Sequence, residues 1–286
     1  MRILTHKQRA LLKAIEKLAQ KGTSSKFMLV KTLFLLANEE NMGQLIKFYN
    51  FFPYKYGPFS NVCYTDLAIL EREGYLLENE KHLALTMKGK EAIKGMNFPI
   101  SLKIKRVINK FNSDHEIKEY VYKNYKEYTI KSEIIPHTEK QEISSGIFTI
   151  GYEGKDIDAF LNILLKNEIN LLVDVRKNAF SMNFSFTKNK LMNYLEKTGI
   201  EYLHTPELGV EGELRESLST INDYHNLFKQ YEVTTLKDNF ESVMQIVKLI
   251  DEKRVALMCF EADKNMCHRG IIANNIEKQH GVVTHL

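Results

Sequence analysis

The sequence predicts an α/β C-terminal domain with a mainly parallel sheet covered by helices, preceded by a mostly α winged-helix-like domain. Three observations predict this. Strand and helix patterns alternate after residue 147, which is typical of βα units that build a parallel sheet. Before that point, helical patterns lead into two short strands. The polar segment "PHTEKQEISSG", residues 136–146, reads as a linker. The predicted boundaries are therefore 1–97 for the winged-helix-like domain, 98–146 for a helical extension with the linker, and 147–286 for the α/β domain.

Composition excludes several classes of protein. The chain has 286 residues, of which 44% are hydrophobic and 27% charged, as expected for a folded globular protein and not for a disordered one. No apolar run approaches the roughly 20 residues that span a bilayer, and the N-terminus does not have the pattern of a secretory signal. Three cysteines, Cys63, Cys259 and Cys267, make no disulfide framework. We therefore expect a cytoplasmic protein.

Charge is distributed unevenly along the chain. Residues 1–146 hold 24 lysines and arginines against 16 acidic residues, a net charge of +8, whereas residues 147–286 hold 16 against 20, a net charge of −4. A basic half is compatible with nucleic-acid binding. It is equally compatible with lysine-rich helices that are simply well solvated.

The first half shows helix signals followed by a hairpin signal. "THKQRALLKAIEKLAQKG" begins with Thr5 as a helix cap and ends at Gly22, and "SSKFMLVKTLFLLANEE" is a second helix. A third helix, "NVCYTDLAILEREG", runs into the two short strands of "GYLLENEKHLALT", and "MKGKEAIKG" closes the domain. This is the element order of a winged helix.

The third helix of a winged helix can enter the major groove of DNA while the wing contacts the phosphate backbone. The predicted nucleic-acid-binding residues are accordingly Asn61, Tyr64, Thr65, Lys81 and Lys88. Protein docking and a purely structural role stay open, because this helix lacks the dense Arg, Lys, Asn and Gln side chains that read bases directly.

The segments "FMLVKTLFLLANEE" and "FPYKYGPFS" also resemble the Panacea-type antitoxin domain, which pairs a lysine-bearing apolar helix with a "YGP" turn. The resemblance covers residues 5–95 and implies partner binding of a defence-associated kind. The following segment, residues 98–135, is predicted to be helical with a break near Asn112 and Ser113.

Polar residues cluster where the predicted strands of the second half end. The strands are "IFTIGYEG", "NLLVDVRK", "EYLHTPEL", "RVALMCFE" and "GVVTHL", separated by helical stretches. Ligands of parallel sheets bind beyond the carboxyl ends of the strands. The residues at those ends are Gly151, Tyr152, Glu153, Asp174, Arg176, His204, Glu207, Cys259 and Glu261. Burying unpaired charge costs several kcal/mol, so their shared position predicts a functional pocket.

Three of these stretches, "TIGYEG", "LLVDVRKNAFSMNFSFTKNKLMNYLEKTGIEYLHTPELG" and "LMCFEADKNMCHR", resemble the family known as domain of unknown function 488. The resemblance covers residues 147–286 and implies a compact α/β domain without a generally established activity. The matching residues are Gly151, Tyr152, Asp174, Arg176, His204, Leu208, Gly209, Cys259, Glu261, Cys267, His268 and Arg269. The chain departs from the family at Ala179 and Met182, where many members have Pro and Arg, and at Val210, which often is Gly.

The Cys267-His268-Arg269 turn admits several interpretations. Cys267, near a helix N-terminus, could be a low-pKa nucleophile. Cys259 and Cys267 could form a reversible disulfide. The turn could instead bind an anion, with Arg176 and Arg269 as phosphate clamps. The spacing C-x7-C-H is not a recognised zinc motif, and neighbouring Cys and His seldom reach one ion, so no metal site is predicted.

We therefore expect a nucleic-acid-associated protein whose α/β domain binds a phosphate-bearing ligand. If the protein is an enzyme, we expect it to process this ligand as a hydrolase or transferase. The predicted catalytic residues are Asp174, Glu261, Cys267 and His204, and the predicted ligand- or anion-binding residues are Gly151, Tyr152, Arg176, His268 and Arg269. The alternatives are a non-enzymatic ligand-sensing regulator or antitoxin-type interaction module, and a thiol-dependent rhodanese-like or redox enzyme. The chain has neither a G-x-G-x-x-G fingerprint nor a P-loop, so no cofactor is predicted. The expected partner of the N-terminal domain is nucleic acid or protein, and the oligomeric state stays open.

Overall fold

The computed structural model describes residues 3–79, 82–134, 145–215 and 220–286. The chain divides into two compact units, Met1–Pro136 and His137–Leu286. Across the described ranges, no helix combines the length and the apolar character needed to cross a membrane.

The first unit is mainly helical. In chain order it contains α1 His6–Lys21, α2 Lys26–Asn38, β1 Phe52–Tyr54, β2 Gly57–Phe59, α3 Asn61–Arg72, β3 Leu76–Asn79, β4 His82–Leu85, α4 Met87–Ala92, α5 Phe98–Asn109 and α6 Asp114–Asn124. The predicted helices and the β3–β4 hairpin are confirmed, as is the break between α5 and α6. The winged-helix assignment and any DNA-binding role stay predictions. The hairpin of β1 and β2 was not predicted, and it pairs Pro53 with Pro58.

One hydrophobic core holds the first unit together. Thr5 and Gln8 form a reciprocal capping box that starts α1. Helix α2 is apolar nearly all round, and its residues from Met28 to Leu36 are buried. This is expected for a central helix. Buried side chains of α5 and α6 belong to the same core as those of α1 and α2; examples are Leu11, Ile15, Leu33, Phe34, Ile104, Val107, Ile117 and Val121. The segment predicted as an extension thus supplies core residues to this unit.

A lysine lies inside the first unit. Lys31 in α2 is 3% exposed, and its Nζ donates a hydrogen bond to the carbonyl oxygen of Pro58 at 3.0 Å. Burial lowers the pKa of Lys31 to about 7. The structure therefore joins the lysine-bearing helix to the "YGP" turn, the two segments that carry the Panacea resemblance.

The second unit is an α/β domain, as predicted. Within the described residues, five strands form a parallel sheet in the order β7-β6-β8-β5-β9. The strands are β5 Gly146–Gly151, β6 Leu171–Asp174, β7 Glu201–His204, β8 Arg254–Cys259 and β9 Val283–His285. The helices are α7 Ile157–Lys166, α8 Lys188–Thr198, α9 Ile221–Tyr231, α10 Phe240–Ile250 and α11 His268–His280.

The sheet has two covered faces that carry different polar groups. Val173, Val175, Leu257 and Cys259 pack in one core with residues of α9, α10 and α11. Because successive side chains of a strand alternate between faces, Asp174 lies on the opposite face. That face contains Phe186, whose ring centroid lies 5.1 Å from that of Phe160 in α7 and 4.3 Å from that of Tyr152, on which it stacks.

Candidate functional site

Asp174 and Arg176 form a buried ion pair at the end of β6. Arg176 Nε donates to Asp174 Oδ1 at 2.8 Å, and Arg176 Nη2 donates to Oδ2 at 2.6 Å. The backbone N–H of Arg176 also donates to Oδ1, at 3.1 Å. Asp174 is fully buried and Arg176 is 6% exposed. Burial opposes the charge of Arg176, but the hydrogen bonds and charge of Asp174 outweigh it and raise the pKa of Arg176.

Two tyrosines complete this network. Arg176 Nη1 donates to the hydroxyl oxygen of Tyr152 at 3.0 Å, and Tyr202 donates its own hydroxyl hydrogen to Asp174 Oδ2 at 2.7 Å. Burial and the carboxylate of Asp174 raise the pKa of Tyr202. Sequence reasoning missed Tyr202, although strand alternation places it on the same face as His204. It also missed Phe186, whose carbonyl oxygen accepts from Arg176 Nη2 at 3.0 Å.

Arg176 and Arg269, the two predicted phosphate clamps, are both buried, and their anion-binding role stays a prediction. The donors of Arg176 point into the protein, toward Asp174, Tyr152 and Phe186. Arg269 is 1% exposed and donates to the carbonyl oxygens of Glu261 and Ala262. Both side chains therefore fix loops at the carboxyl ends of the strands and do not face solvent.

Gly151 serves close packing at the end of β5. A Cβ atom at this position would overlap the carbonyl group of Glu261, so only glycine allows the two loops to approach. The backbone N–H groups of Tyr152 and Glu153 donate to the carbonyl oxygens of Cys259 and Phe260 at 3.3 and 2.8 Å. The ligand-binding role of Gly151 stays a prediction.

His204 ends β7 next to Asp174 in the strand register and is partly buried. Its Nδ1 lies 3.4 Å from Lys188 Nζ, and its Nε2 lies 2.9 Å from the carbonyl oxygen of Arg176. Since an ammonium group and a carbonyl group impose opposite roles on the two ring nitrogens, Nδ1 accepts and Nε2 donates. This arrangement leaves His204 as a polar group of the strand-end surface.

Cys259, Cys267 and His268 form a second cluster, on the face covered by α9 to α11. All three are buried, and their ligand-type atoms lie within 4.8 Å of one another. Cys259 Sγ donates to Glu261 Oε2 at 3.3 Å and lies 3.9 Å from His268 Nδ1. His268 Nε2 lies 2.8 Å from the carbonyl oxygen of Val175. The buried strand-end residues therefore divide between the two faces of the sheet.

The predicted position of Cys267 at a helix N-terminus is confirmed, and its role as a nucleophile stays a prediction. Cys267 is the cap residue at the start of α11. Burial raises the pKa of its thiol, and the hydrogen bond that it shares with Cys259 raises it further. A dehydrated site of this kind disfavours the thiolate, which gives no support to the interpretation of Cys267 as a nucleophile.

These contacts lie largely in a segment that is shared with known proteins. Residues 156–276 match the family described as Domain of unknown function DUF488. The match supports the resemblance seen in the C-terminal half and includes Asp174, Arg176, His204 and the Cys267-His268-Arg269 turn. No curated protein and no solved structure matches the chain.

Inside the segment that matches DUF488, a loop with exposed apolar side chains was missed by sequence reasoning. Phe180, Met182 and Phe184 are 70%, 93% and 68% exposed. Lys190 Nζ lies 5.6 Å from the centre of the Phe184 ring, and Lys188 is exposed at the start of α8. We name these five residues the β6–α8 surface. The signal was visible as "NAFSMNFSF", a run of large apolar residues between a strand and a helix.

The predicted nucleic-acid residues of the first unit lie outside the DUF488 match. Thr65 is exposed and donates its hydroxyl to the carbonyl oxygen of Asn61 at 2.9 Å. The Tyr64 ring packs 4.7 Å from the ring of Phe59. Lys88 donates to the carbonyl oxygen of Glu73 at 2.6 Å. Lys81 lies outside the described residues, and the nucleic-acid-binding role of the five residues stays a prediction.

Proposed function

We propose that the α/β unit binds a phosphate-bearing ligand, a nucleotide or a single nucleic-acid strand, on the β6–α8 surface. The observation that carries this proposal is the exposure of Phe180, Met182 and Phe184 in one loop at the carboxyl end of a parallel strand. Exposed apolar patches of this kind are typical of binding surfaces. Aromatic rings that accept stacked bases are a general means of binding single strands.

Lysine side chains supply the cations of this surface. Lys188 and Lys190 are exposed on the first turn of α8, next to the apolar loop. Lys190 stands beside the Phe184 ring, so a base on that ring brings its phosphate near an ammonium group. Lysine binds phosphate as a point charge. The buried side chains of Arg176 and Arg269 donate their hydrogen bonds to groups of the protein instead.

The buried network beneath the loop supports the same proposal. Arg176 precedes the loop and Phe186 closes it, and the two are joined by the Arg176 Nη2 hydrogen bond to the Phe186 carbonyl oxygen. The Phe186 ring also stacks on Tyr152. A loop anchored at both ends presents its side chains in one arrangement, which favours ligand binding.

If the bound ligand is also processed, His204 is the predicted catalytic residue that contacts this surface, because its Nδ1 lies 3.4 Å from Lys188 Nζ. Asp174 and Cys267 are fully buried. We assign Asp174 to positioning, because both of its carboxylate oxygens accept hydrogen bonds from Arg176 and Tyr202.

Nucleic-acid binding by the first unit is the less supported part of the proposal. The hydroxyl of Thr65 and the ammonium group of Lys88 already have partners within the unit. A partner protein is the alternative there, in line with the Panacea resemblance.

The test is binding of fluorescently labelled single-stranded DNA, single-stranded RNA and a mononucleotide to the full chain, measured by fluorescence anisotropy. Stacking is worth about 1–3 kcal/mol per base, so a Phe180→Ala, Phe184→Ala double variant should lose at least about tenfold in affinity. Phe98→Ala is the matched control, because Phe98 is equally exposed in the first unit. Equal affinity of the double variant and the wild type, or no binding of any probe at low salt, would contradict the proposal.

A further inference from the structure

The face of the sheet opposite the Asp174 network holds a different kind of site. Two thiols and an imidazole meet where β8 ends and α11 begins. We propose that Cys259 Sγ, Cys267 Sγ and His268 Nδ1 bind one divalent cation of the zinc class. This inference is independent of the β6–α8 surface and its ligand.

The separations between the donor atoms fit a single ion. The three atoms lie within 4.8 Å of one another, and Cys259 Sγ is 3.9 Å from His268 Nδ1. In a tetrahedral site with metal–sulfur bonds of about 2.3 Å and metal–nitrogen bonds of about 2.1 Å, neighbouring donors are about 3.5–3.8 Å apart. Small side-chain rotations therefore bring the set to bonding distances.

The orientation of His268 is that of a metal ligand. Its Nε2 lies 2.8 Å from the carbonyl oxygen of Val175, and a carbonyl only accepts, so the proton is on Nε2. Nδ1 then presents a lone pair toward the sulfur of Cys259. Metal-bound histidines commonly donate their second ring N–H to a carbonyl or carboxylate, which fixes the tautomer and the ring plane.

Backbone geometry explains how neighbouring residues reach one point. Cys267 is the extended cap residue of α11, with φ −143° and ψ 136°, whereas His268 is the first helical residue. This change of conformation turns the two side chains toward each other, which the spacing in the sequence does not reveal. Tyr231 of α9 covers the imidazole with its ring, at a centroid distance of 5.7 Å.

A fourth donor is close at hand. Glu261 Oε2 lies 3.3 Å from Cys259 Sγ, and Glu261 is partly exposed. Glu261 or a water molecule on its side of the cluster therefore completes the coordination. The ion would tie the N-terminus of α11 to the end of β8, which is the role of a structural site with soft ligands.

A disulfide between Cys259 and Cys267 is the competing outcome. It uses the two sulfurs and gives no role to the orientation of His268. The metal site accounts for all three side chains and for the hydrogen bond to Val175.

The experiment uses the full chain, purified under reducing conditions, treated with a chelator, and titrated with Zn²⁺ or Co²⁺. Metal content is measured by elemental analysis, and cobalt coordination by its thiolate charge-transfer and tetrahedral d–d absorption. We expect one ion per chain. Cys259→Ser, Cys267→Ser and His268→Gln should each lose at least tenfold in affinity, whereas Cys63→Ala and His280→Gln should bind as the wild type does.

Two further measurements keep the outcome decisive if a serine variant fails to fold. His268→Cys should retain the ion with a stronger thiolate charge-transfer band. The melting temperature of the wild type should rise with Zn²⁺ and fall again with chelator, because an ion bound only by the folded state stabilises it. A reduced, folded wild type that binds neither ion, or a native Cys259–Cys267 disulfide found by mass spectrometry, would overturn the proposal.

Discussion

The carboxylate of Asp174 accepts hydrogen bonds from two donors of the Arg176 side chain at 2.8 and 2.6 Å, inside the protein and two residues away in the chain. Its Oδ2 also accepts the hydroxyl of Tyr202. A buried, bidentate pair with a third donor is costly to break, because removing one partner leaves a buried charge without compensation.

Asp174→Asn should therefore lower the free energy of unfolding by about 3–5 kcal/mol, measured by urea denaturation followed by circular dichroism. Glu201→Gln is the matched control, because Glu201 forms a comparable pair with Lys253 that is exposed. It should change stability by less than about 1 kcal/mol. A double variant, Asp174→Asn with Arg176→Met, should recover part of the loss. Equal, small effects of Asp174→Asn and Glu201→Gln would contradict a buried pair.

Because Lys31 is buried, we expect the free energy of unfolding of the first unit to depend on pH. Its pKa is lowered by burial to about 7 in the folded state, against 10.5 for an ordinary lysine. Between these values the unfolded chain holds a proton that the folded chain lacks, so this residue makes stability rise with pH, by up to about 1.4 kcal/mol per unit. The destabilisation is fully present below pH 7 and is lost as the pH rises toward 10.5.

Urea unfolding of the wild type and of Lys31→Met at several pH values above 7 checks this linkage. The wild type should gain stability relative to Lys31→Met as the pH rises. Lys248→Met, at an exposed position of α10, should follow the wild type. Parallel curves for the wild type and Lys31→Met would show that Lys31 keeps its charge in the folded state.

Gly151→Ala should destabilise the second unit by about 1–3 kcal/mol or more, because the added Cβ overlaps the backbone of Glu261 and forces the two loops apart. Gly212→Ala is the control, since no atom lies within 4 Å of a Cβ at that position. The melting temperatures of both variants give the comparison. A fully stable Gly151→Ala would mean that the loop ends adjust freely.

If the lysines of the β6–α8 surface contact phosphates, they should increase the salt dependence of nucleic-acid binding. Each phosphate contact contributes about −0.7 to the slope of log affinity against log salt for single strands. Lys188→Gln and Lys190→Gln should each make this slope shallower by about that amount. Lys248→Gln should leave it unchanged. An unchanged slope in both surface variants would remove these lysines from the proposed contact.

The elements of the second unit could be predicted from its sequence, whereas the division of its polar residues could not. The alternation of apolar runs with helical patterns identifies β6 and β8. The rule for parallel sheets then places Asp174 and Cys259 at the same edge of the sheet, where the strands end. Their faces depend on register: Asp174 pairs with Met258, so Cys259, one residue further, points the other way. Both strands are buried on both faces, so their nearly continuous apolar runs do not reveal that register.

The partners of the arginines were hidden for a related reason. The sequence shows Arg176 beside a strand end and Arg269 at the start of a helix, where a phosphate clamp is the simplest interpretation. Their burial depends on carbonyl groups of Phe186, Glu261 and Ala262, and every residue type offers such a group. In the first unit, the β1–β2 hairpin is hard to predict because prolines are uncommon in paired strands, and here Pro53 and Pro58 lie opposite each other.

The strand order has a consequence for how the chain acquires its fold during synthesis. β8 lies between β5 and β6, although more than half of the second unit separates β6 from β8 along the sequence. A ribosome that has delivered β5, β6 and β7 has produced strands whose central neighbour does not yet exist. Non-local pairing of this kind slows folding and leaves unpaired edges exposed. The nascent second unit is therefore most vulnerable to aggregation until residues 254–259 emerge.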